Sequence, residues 1–411
     1  MLVVTGHATD DDAVARRDPA STDMGWINPD PPDAHDVIEM RGGRWRPWHI
    51  LALVAAVLAA STSLVIRNNA DQPNNAATHP AAPFQSLTPN PPVPAVQTTT
   101  LGRPLLPVPE SWELFARGPG VVVRVQLAAG AITRTFVSQL YSRGVSFVVG
   151  PDRAIIRPLD SVLGYEVRDG KPAHDLSGVF GAGGMALPGP DRDHLWVETG
   201  AGRSASMMLV GFDGRRTRTA IPIPFGARDV DFASADGTGY LLFRLTGGVY
   251  RATPDGLLRV TAGHVLAAGP TRWLTLECDA FHHCTPTVID RATGHRHILP
   301  ASMSRYLPGG GVISPDGRTA ALFRAEIFTG DLAVHLIDLA TGADRATGVT
   351  LTPPSDTLDP QGPLVWSPDS RWLFAADSHE QLTVIDNRTG RVQFLGVAVT
   401  GVRQVAFRTA S

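Results

Sequence analysis

The hexapeptide Ile-Asp-x-x-Thr-Gly recurs at a fixed interval of 48 residues, as Ile289-Asp290-Arg291-Ala292-Thr293-Gly294, Ile337-Asp338-Leu339-Ala340-Thr341-Gly342 and Ile385-Asp386-Asn387-Arg388-Thr389-Gly390. A chain that repeats a turn at this period stacks one supersecondary unit on the next, because a single unit cannot bury its own apolar face. A period in the forties fits a four-stranded antiparallel sheet, the blade of a β-propeller. The high counts of Gly (41) and Pro (34) suit many short strands joined by tight turns better than long helices.

The unit is clearest from residue 311. Gly311–Ile313 is the expected inner strand, Pro315–Arg318 a tight turn, Thr319–Arg324 the second strand and Glu326–Asp331 a loop. Leu332–Asp338 is the third strand, Leu339–Gly342 the repeated turn, and Ala343–Thr347 the outer strand. Leu364–Trp366, Trp372–Ala376, Gln381–Asp386 and Val392–Leu395 repeat the order, and weaker units fall at 144–180, 184–224, 228–262 and 264–300. Ser314-Pro315-Asp316-Gly317-Arg318 and Ser367-Pro368-Asp369-Ser370-Arg371 are hairpin turns, in which Pro presets the first corner and Gly accepts positive φ. Ser370, standing where the first copy has Gly, makes its turn less ideal. The lone last strand Val402–Phe407 is expected to complete a sheet with Val121–Leu127 and Ile132–Val137, because joining the termini removes exposed sheet edges. The fold class is all-β, a propeller over 111–411, most simply of seven blades, with six or eight as alternatives.

On the Ser-Pro-Asp-Gly-Arg and Ile-Asp-x-x-Thr-Gly motifs, roughly residues 112–408 resemble the bacterial WD40-like and TolB-type propellers, particularly exported propellers of actinobacteria. The Trp-Asp and Gly-His signatures of eukaryotic WD40 repeats are absent. The resemblance implies a fold and leaves the function open.

Residues 1–44 are acidic and proline-rich without apolar periodicity, the composition of a disordered tail. Ile50 to Ile66 carries no charge, and from Trp48 the span to Ile66 covers roughly 28 Å as a helix, enough to cross a membrane once. Arg41, Arg44 and Arg46 precede this 48–66 segment, and after Arg67 the next Lys or Arg is Arg103, which places the N-terminus in the cytoplasm and the propeller outside. A signal peptide starting at Met40 and cleaved near Ala59 is the competing reading, and it exports the same domain as a secreted protein. Residues 67–110, rich in Pro, Asn and Ala, are expected to be an extended extracytoplasmic linker.

A formal net charge of −3 argues against nucleic acid as a partner, since no basic excess exists to neutralise phosphates. Lys171 is the only lysine among 36 basic residues, a bias of GC-rich codons. No P-loop, dinucleotide fingerprint or HExxH helix occurs, and Gly202-Arg203-Ser204-Ala205-Ser206 lacks the second glycine of a nucleophile elbow. No catalytic residue, metal ligand or cofactor is assigned.

Cys278 and Cys284 flank Asp279-Ala280-Phe281-His282-His283. In an oxidising exterior the pair is most simply a disulfide, while a Cys-His metal site using His282 and His283 is the sharper alternative. The repeated turns occupy one face of the propeller, so its longer, irregular loops are expected on the other, where binding chemistry is usually built. That face is expected to carry Arg305 and Tyr306, Asp356 and Asp359, His379 and Glu380, and the cysteine loop with His282 and His283. The functional expectation is a membrane-anchored scaffold that binds a protein, peptide or cell-envelope glycan. A propeller lyase or hydrolase, or a sensor coupled to the acidic tail, are the alternatives.

Overall fold

The computed structural model describes residues 95–409 apart from 139–143, 160–163, 177, 181–183, 201–203, 225–232, 254, 280–282, 301, 303, 304, 308, 309, 327–329 and 353–361. The tail, the apolar segment 48–66 and the linker up to residue 94 lie outside the described residues. Among those described, no helix is long and apolar enough to cross a membrane, and the helical element is the 3₁₀ turn Gly178–Phe180.

The strands are β1 (Val96–Thr100), β2 (Trp112–Gly118), β3 (Val121–Gln126) and β4 (Ala131–Phe136), then β5 (Val145–Val149), β6 (Arg153–Pro158), β7 (Tyr165–Arg168) and β8 (His174–Asp175). There follow β9 (Ala186–Pro188), β10 (His194–Thr199), β11 (Ser206–Gly211), β12 (Arg216–Pro222), β13 (Ala233–Ala235), β14 (Leu241–Leu245), β15 (Gly248–Thr253) and β16 (Gly256–Thr261). Next come β17 (His264–Ala268), β18 (Arg272–Cys278), β19 (Cys284–Asp290), β20 (Arg296–Ile298), β21 (Gly311–Ile313), β22 (Thr319–Ala325), β23 (Leu332–Asp338) and β24 (Asp344–Leu351). The chain ends with β25 (Leu364–Trp366), β26 (Trp372–Ala376), β27 (Gln381–Asp386), β28 (Val392–Ala398) and β29 (Gln404–Thr409).

These strands form antiparallel meanders in chain order: β5–β8, β9–β12, β13–β16, β17–β20, β21–β24 and β25–β28. The closing sheet has the order β1-β4-β3-β2-β29, so the last strand is innermost. The innermost strands touch one another around a circle: β29 meets β5, β5 meets β9, β9 meets β13, β17 meets β21, β21 meets β25, and β25 returns to β29. Between the β13–β16 and β17–β20 sheets, β15 touches β17 and β16 touches β18. At β17 and β21 the contact is a parallel ladder, Ala267 opposite Gly311. A Cβ on Gly311 would lie 2.5 Å from Leu266 O, so the close approach requires glycine there.

The core lies between the sheets. Each apolar cluster combines two consecutive sheets, and one of them joins the last to the first, through Phe374, Val384 and Val397 against Leu114, Val123 and Val125. A strand therefore buries both faces: Leu114 and Ala116 of β2 enter one cluster and Phe115 the next. Period-two alternation gives way to continuous apolar runs, the pattern of strands covered on both sides. The architecture is a closed β-propeller.

The termini join as expected but through different strands. The partner of β29 is β2, in register from Trp112↔Thr409 to Arg117↔Gln404. Because all seven β2 residues are buried, this strand has no polar alternation to mark it in the sequence. Within the stretch expected to be linker, Val96–Thr100 forms β1, a fifth strand on β4, and Leu106 is buried in the closing cluster. Arg408, at 5% side-chain exposure, locks the closure. Its Nε donates to Glu113 Oε2 at 2.8 Å and its Nη2 to Asp169 Oδ2 at 2.6 Å. Burial pushes the Glu113 carboxyl up, but bonds and charge from Arg124 and Arg408 outweigh it and hold the pKa below the usual range.

Candidate functional site

One face of the ring carries the connections between first and second strands and between third and fourth strands. Several of its polar side chains are committed to their own turns. Asp290 Oδ1 accepts from the Ala292 and Thr293 amides and the Thr293 hydroxyl at 2.8–3.1 Å, and Asp338 does the same with Ala340 and Thr341. The Thr293 amide and hydroxyl hold the Asp290 carboxyl below its ordinary range. At Asp338 burial works the other way but is outweighed by the bonds from Thr341 and Ala340. Ser314 Oγ donates to Asp316 at 2.6 Å and accepts from Thr319 N at 3.0 Å, and Ser367 repeats the pattern with Asp369 and Trp372. Ser370, at φ 61°, accepts from Asp316 N at 2.9 Å, so the residue that strains its own turn ties two neighbouring turns together.

Buried Asp236 extends this pattern between sheets. Its Oδ1 caps its own turn through Thr238 and Tyr240 N, while its Oδ2 meets Arg251 at 2.8 Å and Arg291 at 2.5 Å. Nothing in the sequence pairs these three residues, because only the register brings them together.

The opposite face carries the remaining connections. Three of those between second and third strands are tight: Pro119-Gly120 joins β2 to β3, Thr246-Gly247 joins β14 to β15, and 377–380 joins β26 to β27. In the last, Asp377 is buried and accepts from His379 N, Gln381 N and Thr383 Oγ1, all at 2.9 Å. Glu380 adopts φ 62° and its carboxylate accepts from Gly401 N at 2.8 Å, which pins the next connection, while the His379 side chain is exposed. Asp356, Asp359 and His282 lie outside the described residues.

Arg305 and Tyr306 meet β23 and β24 instead of standing alone in a loop. Tyr306 is 2% exposed and its hydroxyl donates to Asp344 Oδ2 at 2.5 Å; His335 Nδ1 donates to Asp344 Oδ1 at 2.7 Å, and Arg305 Nη2 to Asp344 Oδ2 at 2.5 Å. Burial and the bond to Asp344 push Tyr306 up to about 12. For Asp344, burial is outweighed by the Tyr306 and His335 bonds, and the pKa falls. The cluster ties one sheet's outgoing connection to the next sheet.

Cys278 and Cys284 face each other on β18 and β19 and form a disulfide, and no described cysteine is free. The alternative of thiolate metal ligands is thereby corrected, since both sulfurs are in the bond and pack against the core between β17–β20 and β21–β24. His283 is exposed, with Nδ1 3.4 Å from Asp279 Oδ2. Among the described residues, no three His, Cys, Asp or Glu side chains converge to hold a metal.

At the same end, Arg157 of β6 is 3% exposed and donates to Met185 O at 3.2 Å. Burial drives its pKa down to about 10, opposed by the charge of Glu198 on β10. A groove of about 650 Å³ opens on the turn face between β17–β20 and β21–β24, lined by Arg272, His295 and His297 among others. Neither Arg157 nor the groove had a motif to mark it.

No protein-family model matches the chain, and no curated protein matches it. Solved structures do. One is a protein of unknown function from Desulfotomaculum acetoxidans, at 13% identity and TM-score 0.46, covering 73% of this chain and 99% of that one. A second is a putative 6-phosphogluconolactonase from Bacteroides fragilis, at 13% identity and TM-score 0.43, covering 72% and 98%. A third is TolB from Acinetobacter baumannii, at 13% identity and TM-score 0.38, covering 72% and 66%. At these values none of them carries a residue or an activity over to this chain; the propeller rests on the strand order and the ring of interfaces above.

Proposed function

We propose that this chain is a seven-bladed propeller of the TolB-like, actinobacterial type, held outside the cytoplasm by a single helix at 48–66. In this reading it is a scaffold that binds a protein, peptide or cell-envelope glycan. Seven blades follow from counting β29, β5, β9, β13, β17, β21 and β25 as the inner strands. The observation that carries the binding reading is the set of exposed side chains on anchored connections of the loop face. On the turn face Asp290, Asp338, Ser314 and Ser367 are committed to internal capping, whereas His379 and His283 project from anchored connections on the other. Rigidly held loops presenting exposed side chains are the usual way a scaffold binds. The arginines before residue 50 support the orientation, and the disulfide supports an oxidising compartment.

The test is affinity capture from a cell-envelope extract on immobilised full-length protein, with the double variant His283→Asp/His379→Asp as comparison. An envelope component retained by the wild type and depleted about tenfold on the variant is the expected result. Equal retention by both, or by neither, contradicts the assignment of the face.

A further inference from the structure

The three Ile-Asp-x-x-Thr-Gly turns differ in the residue after the aspartate, which is Arg291, Leu339 or Asn387. In two of them that side chain bonds to the preceding sheet. Arg291 donates to Asp236 O at 2.6 Å, Asp236 Oδ2 at 2.5 Å and Thr238 Oγ1 at 3.0 Å. Asn387 Nδ2 donates to Thr319 Oγ1 at 3.2 Å, and Asn387 O accepts from Arg345 at 2.5 Å. Leu339 has nothing to donate and is buried in the core between β17–β20 and β21–β24. At that interface the polar groups of the preceding sheet receive no side-chain bond from the turn.

Those groups line the 650 Å³ groove. Arg272 lies opposite Asp290, whose amide bonds His295 O, and the next row in the same direction is Leu274, Val288 and His297. Side chains two apart on a strand share a face, so Arg272, His295 and His297 all face the neighbouring sheet. Arg296, between the two histidines, turns the other way to Glu277 and Val260 O. The Arg272 stem packs along Gly317, and its guanidinium makes no hydrogen bond to a described residue, although its charge lowers the Asp290 pKa. Asp290 is committed to its turn. His297 Nε2 donates to Ala340 O at 3.0 Å; a carbonyl only accepts, so Nδ1 is left facing away from that bond. Val288, Leu339 and Ala340 supply an apolar floor.

We propose that this groove binds a small ligand carrying an oxyanion, carboxylate or phosphomonoester, on an apolar body. Arg272 grips the oxyanion through its planar fork, which matches either group. His295 adds a donor at the rim, and the His297 ring, held by its bond to Ala340 O, forms part of the wall. The body rests on Val288, Leu339 and Ala340, and the volume falls within the range of small-molecule sites. This site is on the opposite face from the one proposed for the macromolecular partner and stands independently of it.

Isothermal titration of the full-length protein with benzoate and phenyl phosphate, and with phenol as the uncharged comparison, tests the inference. At least one oxyanion probe is expected to bind with Kd below about 1 mM while phenol does not. Preference between the two probes distinguishes a carboxylate site from a phosphate site. Arg272→Gln should weaken binding about tenfold or more, as for bonds between charged groups, and His295→Ala about threefold, at the lower end for a single rim bond. Because His295 is exposed, its variant decides the matter if Arg272→Gln does not fold. Absence of binding by both oxyanion probes, equal binding of phenol, or binding unchanged in the variants overturns the proposal.

Discussion

The repeated glycines give a graded perturbation whose ranking follows from the structure. Gly294, Gly342 and Gly390 occupy the same position of the motif and have φ of 70°, 72° and 74°. Substitution by alanine therefore carries the same backbone penalty in each, roughly 1–2 kcal/mol for left-handed geometry. The reduced freedom of the unfolded chain offsets this by about 0.4–1 kcal/mol. The steric surroundings differ. A Cβ at Gly294 meets nothing within 4 Å, and at Gly390 it lies 3.4 Å from the Arg345 side chain, which can shift. At Gly342 it would lie 2.4 Å from Pro300 Cδ, part of a rigid ring on the preceding sheet's outgoing connection. Relieving that overlap requires backbone movement, adding about 1–3 kcal/mol. The expected destabilisation is thus about 1 kcal/mol for Gly294→Ala, slightly more for Gly390→Ala, and about 2–4 kcal/mol for Gly342→Ala. Urea unfolding of the full-length protein measures it as a shift of midpoint at constant slope. Equal midpoints for the three variants, or Gly294→Ala as the least stable, would refute the reasoning that interface packing sets the difference.

Three further outcomes are expected. Arg408→Met leaves buried Glu113 with Arg124 as its charged partner and should cost about 3–5 kcal/mol, and Glu113→Gln with Arg408→Met should cost less than the sum of the two. Additivity within about 0.5 kcal/mol in urea unfolding would contradict the ring-closing pair. Tyr306 has its pKa raised from 10 to about 12, so its contribution is complete below about pH 10 and lost as pH rises toward 12. Wild type should lose on the order of 2 kcal/mol more than Tyr306→Phe across that window, and parallel stability curves would contradict its buried bond to Asp344. Lys171, the only lysine, is exposed; under the proposed orientation a membrane-impermeant amine reagent applied to intact cells should label it and leave the N-terminal amine unlabelled. The reverse labelling would place the propeller in the cytoplasm.

Where turns carry chemistry in consecutive residues, the sequence reads through to the structure. The strands expected at Gly311–Ile313, Leu332–Asp338, Leu364–Trp366, Trp372–Ala376 and Gln381–Asp386 are β21, β23, β25, β26 and β27. Local signals failed where burial removed the pattern or partners were distant. Trp112–Gly118 is buried on both faces and shows no alternation, so β2 went unmarked beside the more evident β3. Tyr306 sits in a segment without strand pattern, and its burial depends on Asp344, 38 residues away. Asp236 and Arg291 are 55 residues apart and meet only because adjacent sheets bring one turn against another. The groove at Arg272 depends on an apolar residue inside an otherwise polar turn motif, which becomes meaningful only when Leu339 is set beside Arg291 and Asn387 across three interfaces.

The assignment of the macromolecular partner to the face that carries His379 is tested most directly by site-specific photo-cross-linking in intact cells. One photoreactive residue replaces His379, on the proposed binding face; another replaces Arg215, exposed in the turn between β11 and β12 on the opposite face. Irradiation is expected to give a discrete high-mass adduct from position 379 and none from position 215. Adducts of equal yield from both positions, or an adduct from position 215 alone, would contradict it.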